Sequence, residues 1–466
     1  MSRVNFTGNF LIIGLGSIAK GSIALFLRHI TITPDRIKVI SASEDDEGLA
    51  DIFGFRFEQI LLTEKNYREV VSANLKEGDF LVNLSVGVSS LALIELCQEI
   101  GALYLDSSIE PWEGGFTDTS LSIVDRSNYM LREMTLALAR KCVGGPTAIV
   151  ALGANPGIVS GFVKQALVNI AADNGITADP QSREEWARLA RQLDIRVMQI
   201  SERDSQSVAT RKPDNAFVNT WSVAAMIDES LQPSELGWGT HEKHWPADAV
   251  AHDFGCKASI MLTHHGAEVK VRSWAPLAGS FKGFLFTHHE SISIADYFTL
   301  REGDEPVYRP TVLYAYLPSD DAYLSLHELA GNNFREKQRH INIRDDIIQG
   351  TDELGVLLMG NAKGAYWYGS QLSIHQAREL APYNNATSLQ VISGILAGIV
   401  YAIQNPGKGL IEPDEVDHKA MLEVAIPYLG DVVGVYTDWT PIAERHKPFP
   451  EDIDESDPWQ FKNIRV

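Results

Sequence analysis

Cysteine is scarce. The three in 466 residues, Cys97, Cys142 and Cys256, are far apart and in no CxxC spacing. That excludes a disulfide framework and a thiolate metal site. No apolar stretch reaches the about 18 residues of a membrane span, and no basic-then-apolar leader opens the chain, so a cytoplasmic location with no membrane partner is expected. Lys and Arg form no stripe, which argues against nucleic acid. Neither a nucleophile elbow nor a P-loop occurs. The histidine pairs His264-His265 and His288-His289, and His241-x-x-His244, lack a third donor at ligand spacing, so no metal is expected.

What is present is acid. The net charge is −21, with a hydrophobic fraction of 45% and a charged fraction of 22%. The two fractions are those of an ordinary globular chain, and the length allows two or more domains. The charge keeps a protein soluble and also attracts cationic ligands.

The N-terminal stretch carries a nucleotide signal. Phe10–Ile13 reads as a buried strand and runs into Gly14-Leu15-Gly16-Ser17-Ile18-Ala19, followed by a helix over 18–29 and a second strand over 37–40. This is the strand–turn–helix–strand order of a dinucleotide fold. Gly14 permits the turn, Gly16 lets backbone approach a pyrophosphate, and Ala19 lets helix and strand lie close. The helix start, with Ser17 and Ile18, offers free N–H groups to phosphate. The second strand ends in Ser41-Ala42-Ser43-Glu44-Asp45-Asp46-Glu47, so Ser41 stands where an acid binds the ribose 2′-OH, and Ser43 or Glu44 is the alternative. Four acids and no Arg favour NAD over NADP.

Strands expected over 79–84, 102–105 and 147–152 alternate with helices over 89–99 and 128–139, which predicts a doubly wound parallel sheet. Ser85, Val86, Asp106, Ser107, Glu110, Asn155 and Pro156 fall at or past the strand ends, where such sheets bind ligands. Ile158–Ala171 reads as a connecting helix, and a capping box at Ser182 and Glu185 starts another. Short β-like runs over 195–200, 216–222, 258–262, 269–274, 283–287 and 311–316 predict a second α+β domain with a mixed or antiparallel sheet. The apolar 385–403 stretch, with Ser393, Gly394, Ala397 and Gly398, reads as a close-packed buried helix. The domain expectation is 1–157 for the nucleotide fold, rejoined by a helix at about 385–405, then 158–384, with 406–466 packing on both.

In the second region acids sit beside aromatics: Glu202 and Asp204, Trp221, Asp228-Glu229, and Glu235 near Trp238. A carboxylate with an indole face suits an ammonium group. His288, after an apolar run, has the ring for proton transfer near neutral pH.

Several longer stretches carry a resemblance. Glu110-Pro111-Trp112, Gly153-Ala154-Asn155-Pro156-Gly157, Phe217-Val218-Asn219-Thr220-Trp221-Ser222-Val223, Glu235-Leu236-Gly237-Trp238-Gly239-Thr240, Glu290-Ser291-Ile292-Ser293-Ile294-Ala295-Asp296 and Gly434-Val435-Tyr436-Thr437-Asp438-Trp439 are similar to the bacterial homospermidine synthases, within the saccharopine-dehydrogenase-like oxidoreductases. The resemblance runs through the whole chain. It implies tightly bound NAD, putrescine and related diamines as partners, and a homodimer. It implies that Trp221 offers its ring to an ammonium intermediate, and that Glu202, Glu229 and Glu110 bind amino groups. Asn155 would orient the reacting nitrogen, His288 would move a proton, and Asp352 would fix the distal ammonium. Gly87 departs from the family, which carries an acid there. The alternatives are a saccharopine-type or carboxynorspermidine-type reductive aminase using NAD(P)H, and a dinucleotide-binding regulator without turnover.

Overall fold

The computed structural model describes residues 3–44, 48–337, 339–445 and 448–466. Its first sheet is parallel throughout, in the spatial order Arg56–Gln59, Ile37–Ser41, Phe10–Ile13, Phe80–Asn83, Leu103–Asp106, Ala148–Ile149 and Leu410–Ile411. In chain order this is the 3-2-1-4-5-6 arrangement of a dinucleotide-binding fold, extended by a strand from the C-terminal region. Strand periodicity explains its two covered faces. Phe10, Ile12, Val82 and Leu105 point into one apolar cluster, while Leu11, Ile13, Leu81 and Tyr104 point into another.

Gly14 shows why the first turn needs glycine. It sits at φ +94°, and a Cβ there would lie 2.9 Å from the Leu84 carbonyl oxygen. Its N–H donates to the Ile40 carbonyl at 2.8 Å, tying the turn to the neighbouring strand. Gly16 is the N-cap of helix Ser17–His29, and nothing lies within 4 Å of its Cβ position.

The second sheet runs in the order Ala249–Ala251, Ser259–His265, Pro233–Gly237, Thr311–Leu317, Val197–Asp204, Thr351–Asn361, Gly364–Ser373 and Asp431–Thr437, with hairpin Lys270–Ala275/Gly279–Phe284 joining at Thr311–Leu317. It is mixed: Thr311–Leu317 and Val197–Asp204 are parallel, while their other ladders are antiparallel.

Three expectations are corrected here. Ala216–Asn219 lies outside the large sheet and pairs in parallel with Arg339–Asn342. Strand Gly279–Phe284 stops at Phe284, and the next four residues leave the sheet to start helix His289–Tyr297. Strands Thr351–Asn361, Gly364–Ser373 and Asp431–Thr437 were not expected. The first runs through Gly355-Val356-Leu357-Leu358-Met359, buried on both faces, so it shows no alternation to read.

Helix Ala386–Gln404 joins the two halves. Contrary to the expectation that no apolar run reaches span length, it is long and apolar enough to cross a membrane, yet protein encloses most of it. It packs on helix Ser17–His29 and on strand Leu103–Asp106 of the first sheet, and touches the Thr351–Asn361 hairpin of the second. A Cβ on Gly394 would overlap the Gly153 carbonyl oxygen, so the helix backbone rests directly on the Gly153–Gly157 turn. We predict that Gly394→Ala costs about 1–3 kcal/mol by overpacking, read as a lower urea midpoint at unchanged slope. An unchanged midpoint would mean the helix moves off the turn freely.

Candidate active site

A cavity of about 540 Å³ opens at the C-terminal ends of the first sheet's central strands. Gly14, Gly16, Ser17, Ile18, Ser43, Ser85 and Val86 line it, and so does Glu110. Gly16's open Cβ position faces no side chain, and the start of helix Ser17–His29 offers unpaired N–H groups, so the cradle fits a pyrophosphate. Ser41 Oγ accepts the Ser43 N–H at 3.2 Å, which leaves Ser43 beside the opening. Among the described lining residues the charges are Glu110, Glu113, Asp228 and Glu336, with no Lys or Arg. The acids Asp45, Asp46 and Glu47 lie outside the described residues.

Asp106, Ser107, Asn155 and Pro156 are placed differently from expectation and do not line this cavity. Asp106 is fully buried, with its carboxylate accepting the Ala151 N–H at 2.5 Å and the Tyr104 hydroxyl at 2.8 Å. The acid is spent on the turn that leads to Gly153. Ser107 packs its Cβ near Gly153.

The cavity continues inward to a small pocket of about 40 Å³ shared by Glu110, Phe116, Pro156, Asp228, Glu229 and His288. Glu110 accepts the Gly87 N–H at 3.3 Å and the Ser108 hydroxyl at 3.1 Å. Gly87, at φ +72°, therefore contributes a backbone donor to this carboxylate. Burial pushes the Glu110 carboxyl up to about 8, helped by Asp228 and Glu229. Asp228 is raised to about 6 by burial and by Glu336 and Glu229. His288 lies between two acids, with Nε2 3.2 Å from Glu229 and Nδ1 3.1 Å from Glu290. Burial acts to lower its pKa, but the two carboxylates outweigh it and hold the ring proton up to about 10.

Behind this pocket three acids share one face of the second sheet. Glu202 and Asp204 are two apart on strand Val197–Asp204, and Asp352 is paired opposite Asp204. Among the described residues none of the three has a Lys or Arg ion pair. Glu202 Oε2 accepts the Asn155 Nδ2–H at 2.7 Å and the Tyr314 hydroxyl at 2.5 Å. Its carboxyl is raised to about 7, mainly by burial. Asp204 accepts from Thr220 and Gln206. Asp352 accepts from Thr387, and its Oδ1 has no partner. Burial, with Glu202 and Asp204 nearby, pushes Asp352 well above the usual carboxylate range.

Two tyrosines connect these parts. Tyr314 and Tyr316 stack on one face of strand Thr311–Leu317, with ring centroids 5.4 Å apart. Tyr314 bonds Glu202 and packs on the His288 ring at 4.3 Å, while Tyr316 accepts the Trp221 Nε1–H at 3.0 Å. Sequence reading missed both, although Tyr314-Ala315-Tyr316 carries the alternation that marks one strand face. It named Asp204 and Asp228 without a role. Glu235 is buried and accepts the N–H groups that open helix Asn128–Ala139, so its neighbour Trp238 is no ammonium partner for it.

The arrangement is thus a nucleotide cradle, a proton-carrying imidazole and an unpaired cluster of buried acids beside an indole. Sequence models of the saccharopine dehydrogenase NADP binding domain and C-terminal domain match residues 10–149 and 153–435. The homospermidine synthase of Blastochloris viridis is 52% identical over 98% of this chain and 97% of its own length. That of Mesorhizobium japonicum is 48% identical over 99% and 96%. The chain belongs to the homospermidine synthase family. The crystal structure of the Legionella pneumophila homospermidine synthase in complex with NAD superposes with a TM-score of 0.94 at 48% identity, covering 100% of this chain and 99% of that one. Family membership thus agrees with the fold and with the nucleotide cradle.

A raised carboxyl binds its proton more tightly folded than unfolded, so the stability it contributes is present below the unfolded pKa and lost as pH rises through the folded one. For Glu110 that window runs from the ordinary 4.5 to about 8. We predict that Glu110→Gln becomes progressively more stable than the parent from pH 5 to pH 9 without ligand, measured as a growing difference in Tm. A pH-independent difference would show that Glu110 is already ionised.

Proposed function

We propose that this protein condenses two putrescines into homospermidine and ammonia with NAD as a recycled cofactor. The carrying observation is the set of buried acids without cationic partners, Glu202, Asp204 and Asp352 behind Glu110 and Glu229, adjoining a nucleotide cavity. Unpaired buried carboxylates are costly, and a dicationic ligand supplies the missing charge. The residues Gly14, Gly16, Ser17, Ile18, Ser43 and Ser85 would hold NAD, and the lack of Lys or Arg among the described lining residues suits NAD rather than a 2′-phosphate. When bound, NAD accepts hydride from the amine carbon of the first diamine and returns it to the final imine.

The chain's own side chains do the rest. Asp352 and Glu202 bind ammonium ends, and Asn155, already bonded to Glu202, orients the reacting nitrogen. Trp221 lines neither cavity and carries no Lys or Arg over its ring among the described residues; in this reading its face takes the cationic intermediate. His288 gives up and recovers the proton that the exchange of ammonia for the second amine requires, with Glu229 as its cavity-side partner. Burial of the acids keeps water away from the imine. A reductive aminase acting on carboxylated substrates would need an Arg clamp in this lining instead.

The test is turnover of putrescine with catalytic NAD. Equal amounts of ammonia and homospermidine, without NADH accumulation, are expected; stoichiometric NADH, or no polyamine product, overturns the reading. In the same assay Trp221→Ala should lower kcat/KM by about 30-fold, equivalent to ~2 kcal/mol of lost cation–π attraction. Trp221→Phe should retain most of it, and equal loss in both variants would remove the ring face from the account.

A further inference from the structure

His288 is anchored from two sides, and the two anchors differ in their access to the cavity. Glu229, on helix Val223–Leu231, lines the inner pocket with His288 and is partly exposed there. Glu290, in the first turn of helix His289–Tyr297, does not line that pocket and is 1% exposed. Among the described residues its carboxylate meets no Lys or Arg; its Oε1 contacts His288 Nδ1 at 3.1 Å and its Oε2 has no hydrogen-bond partner. A buried acid with one imidazole contact and the positive end of a short helix is committed to that imidazole.

We propose that Glu290 is the positioning residue of His288: it holds the Nδ1 proton and so presents Nε2 to the substrate nitrogen, a role that rests on the reaction proposed above. An arriving ammonium group competes for Glu229, which faces the cavity, and has no access to Glu290. The ring then keeps its inner anchor while Nε2 exchanges Glu229 for the substrate. Losing one of its two carboxylates also brings the His288 proton down from about 10, towards the range where it is transferable. The other groups around the ring are Tyr314, packed on its face, Glu202 beyond that tyrosine, and Glu110, Asp228 and His289 in the same pocket. None of these bonds Nδ1, whose partner among the described residues is Glu290.

The experiment compares the NAD-loaded parent with Glu290→Gln, which keeps an acceptor for the Nδ1–H but removes the charge. Histidine labelled with ¹³C at Cε1, with His288→Gln to assign the signal, reports the His288 titration directly. The expected result is a midpoint at least one pH unit lower in Glu290→Gln, with kcat reduced on the order of 10- to 100-fold, as for other imidazole-orienting partners, and KM for putrescine within threefold. Glu290→Asp should recover part of kcat. An unmoved midpoint, or a loss confined to Tm or to KM, overturns the proposal. Failure of the parent itself to make homospermidine would instead strike the functional reading, so the two outcomes are distinguishable.

Discussion

The structure is organised around carboxylates buried without cations. An ionised carboxylate taken out of water costs several kcal/mol unless something pairs with it. This chain removes Glu202, Asp204 and Asp352 from water together, on adjacent strands, with hydroxyls and amides as their partners. The resulting carboxyl groups hold their protons at higher pH than usual. One buried cation shows the opposite arrangement: Arg132 meets Glu412 at 2.7 Å and Asp296 at 3.0 Å, and Glu412 is held well below the usual carboxylate range. The contrast with Arg132 supports the proposed binding of an external cation at the unpaired cluster.

Keeping such a cluster ready requires a rigid frame. The acids lie on central strands of the second sheet, flanked on both sides by further ladders. The nucleotide cradle lies on a separate sheet, so the distance between them depends on what joins the two. Helix Ala386–Gln404 does this through backbone contact at Gly394 and through Thr387, which donates to Asp352 from the helix start. Asn155, next to the Gly153 contact, donates to Glu202. The same joint that packs the halves together therefore fixes the acids relative to the first sheet.

The first sheet was legible because its strands are bounded by glycine turns and alternate with helices of ordinary length. Asn128–Ala139 and the Ala386–Gln404 helix fall within a residue or two of expectation for that reason. The second sheet was half legible. Thr351–Asn361 shows no period, and Ala216–Asn219 shows a strand period without revealing that its partner is Arg339–Asn342. Among site residues, turn glycines and cavity-facing serines follow from local geometry. Asp106 does not: an acid at a strand end reads the same whether it faces a ligand or, as here, caps the Ala151 amide. Tyr314 and Glu290 act through side chains far away or turned inward, and pairings of that kind need the fold.

The raised carboxyls of Glu202, Asp204 and Asp352 also bear on what the proposed site would accept. In a cluster that holds protons, a neutral or anionic ligand finds hydrogen-bond partners but no charge to gain. Under the proposed reading an arriving cation favours the ionised form of each carboxylate it approaches. Under the proposed function, charge spacing along the ligand would matter, because Asp352 is bonded to Thr387 of helix Ala386–Gln404 while Glu110 and Glu229 stand at the inner pocket. Such a site would read ligand length by charge spacing more than by apolar contact, since a methylene alone contributes only about 0.8 kcal/mol, less than a single unpaired buried carboxylate costs.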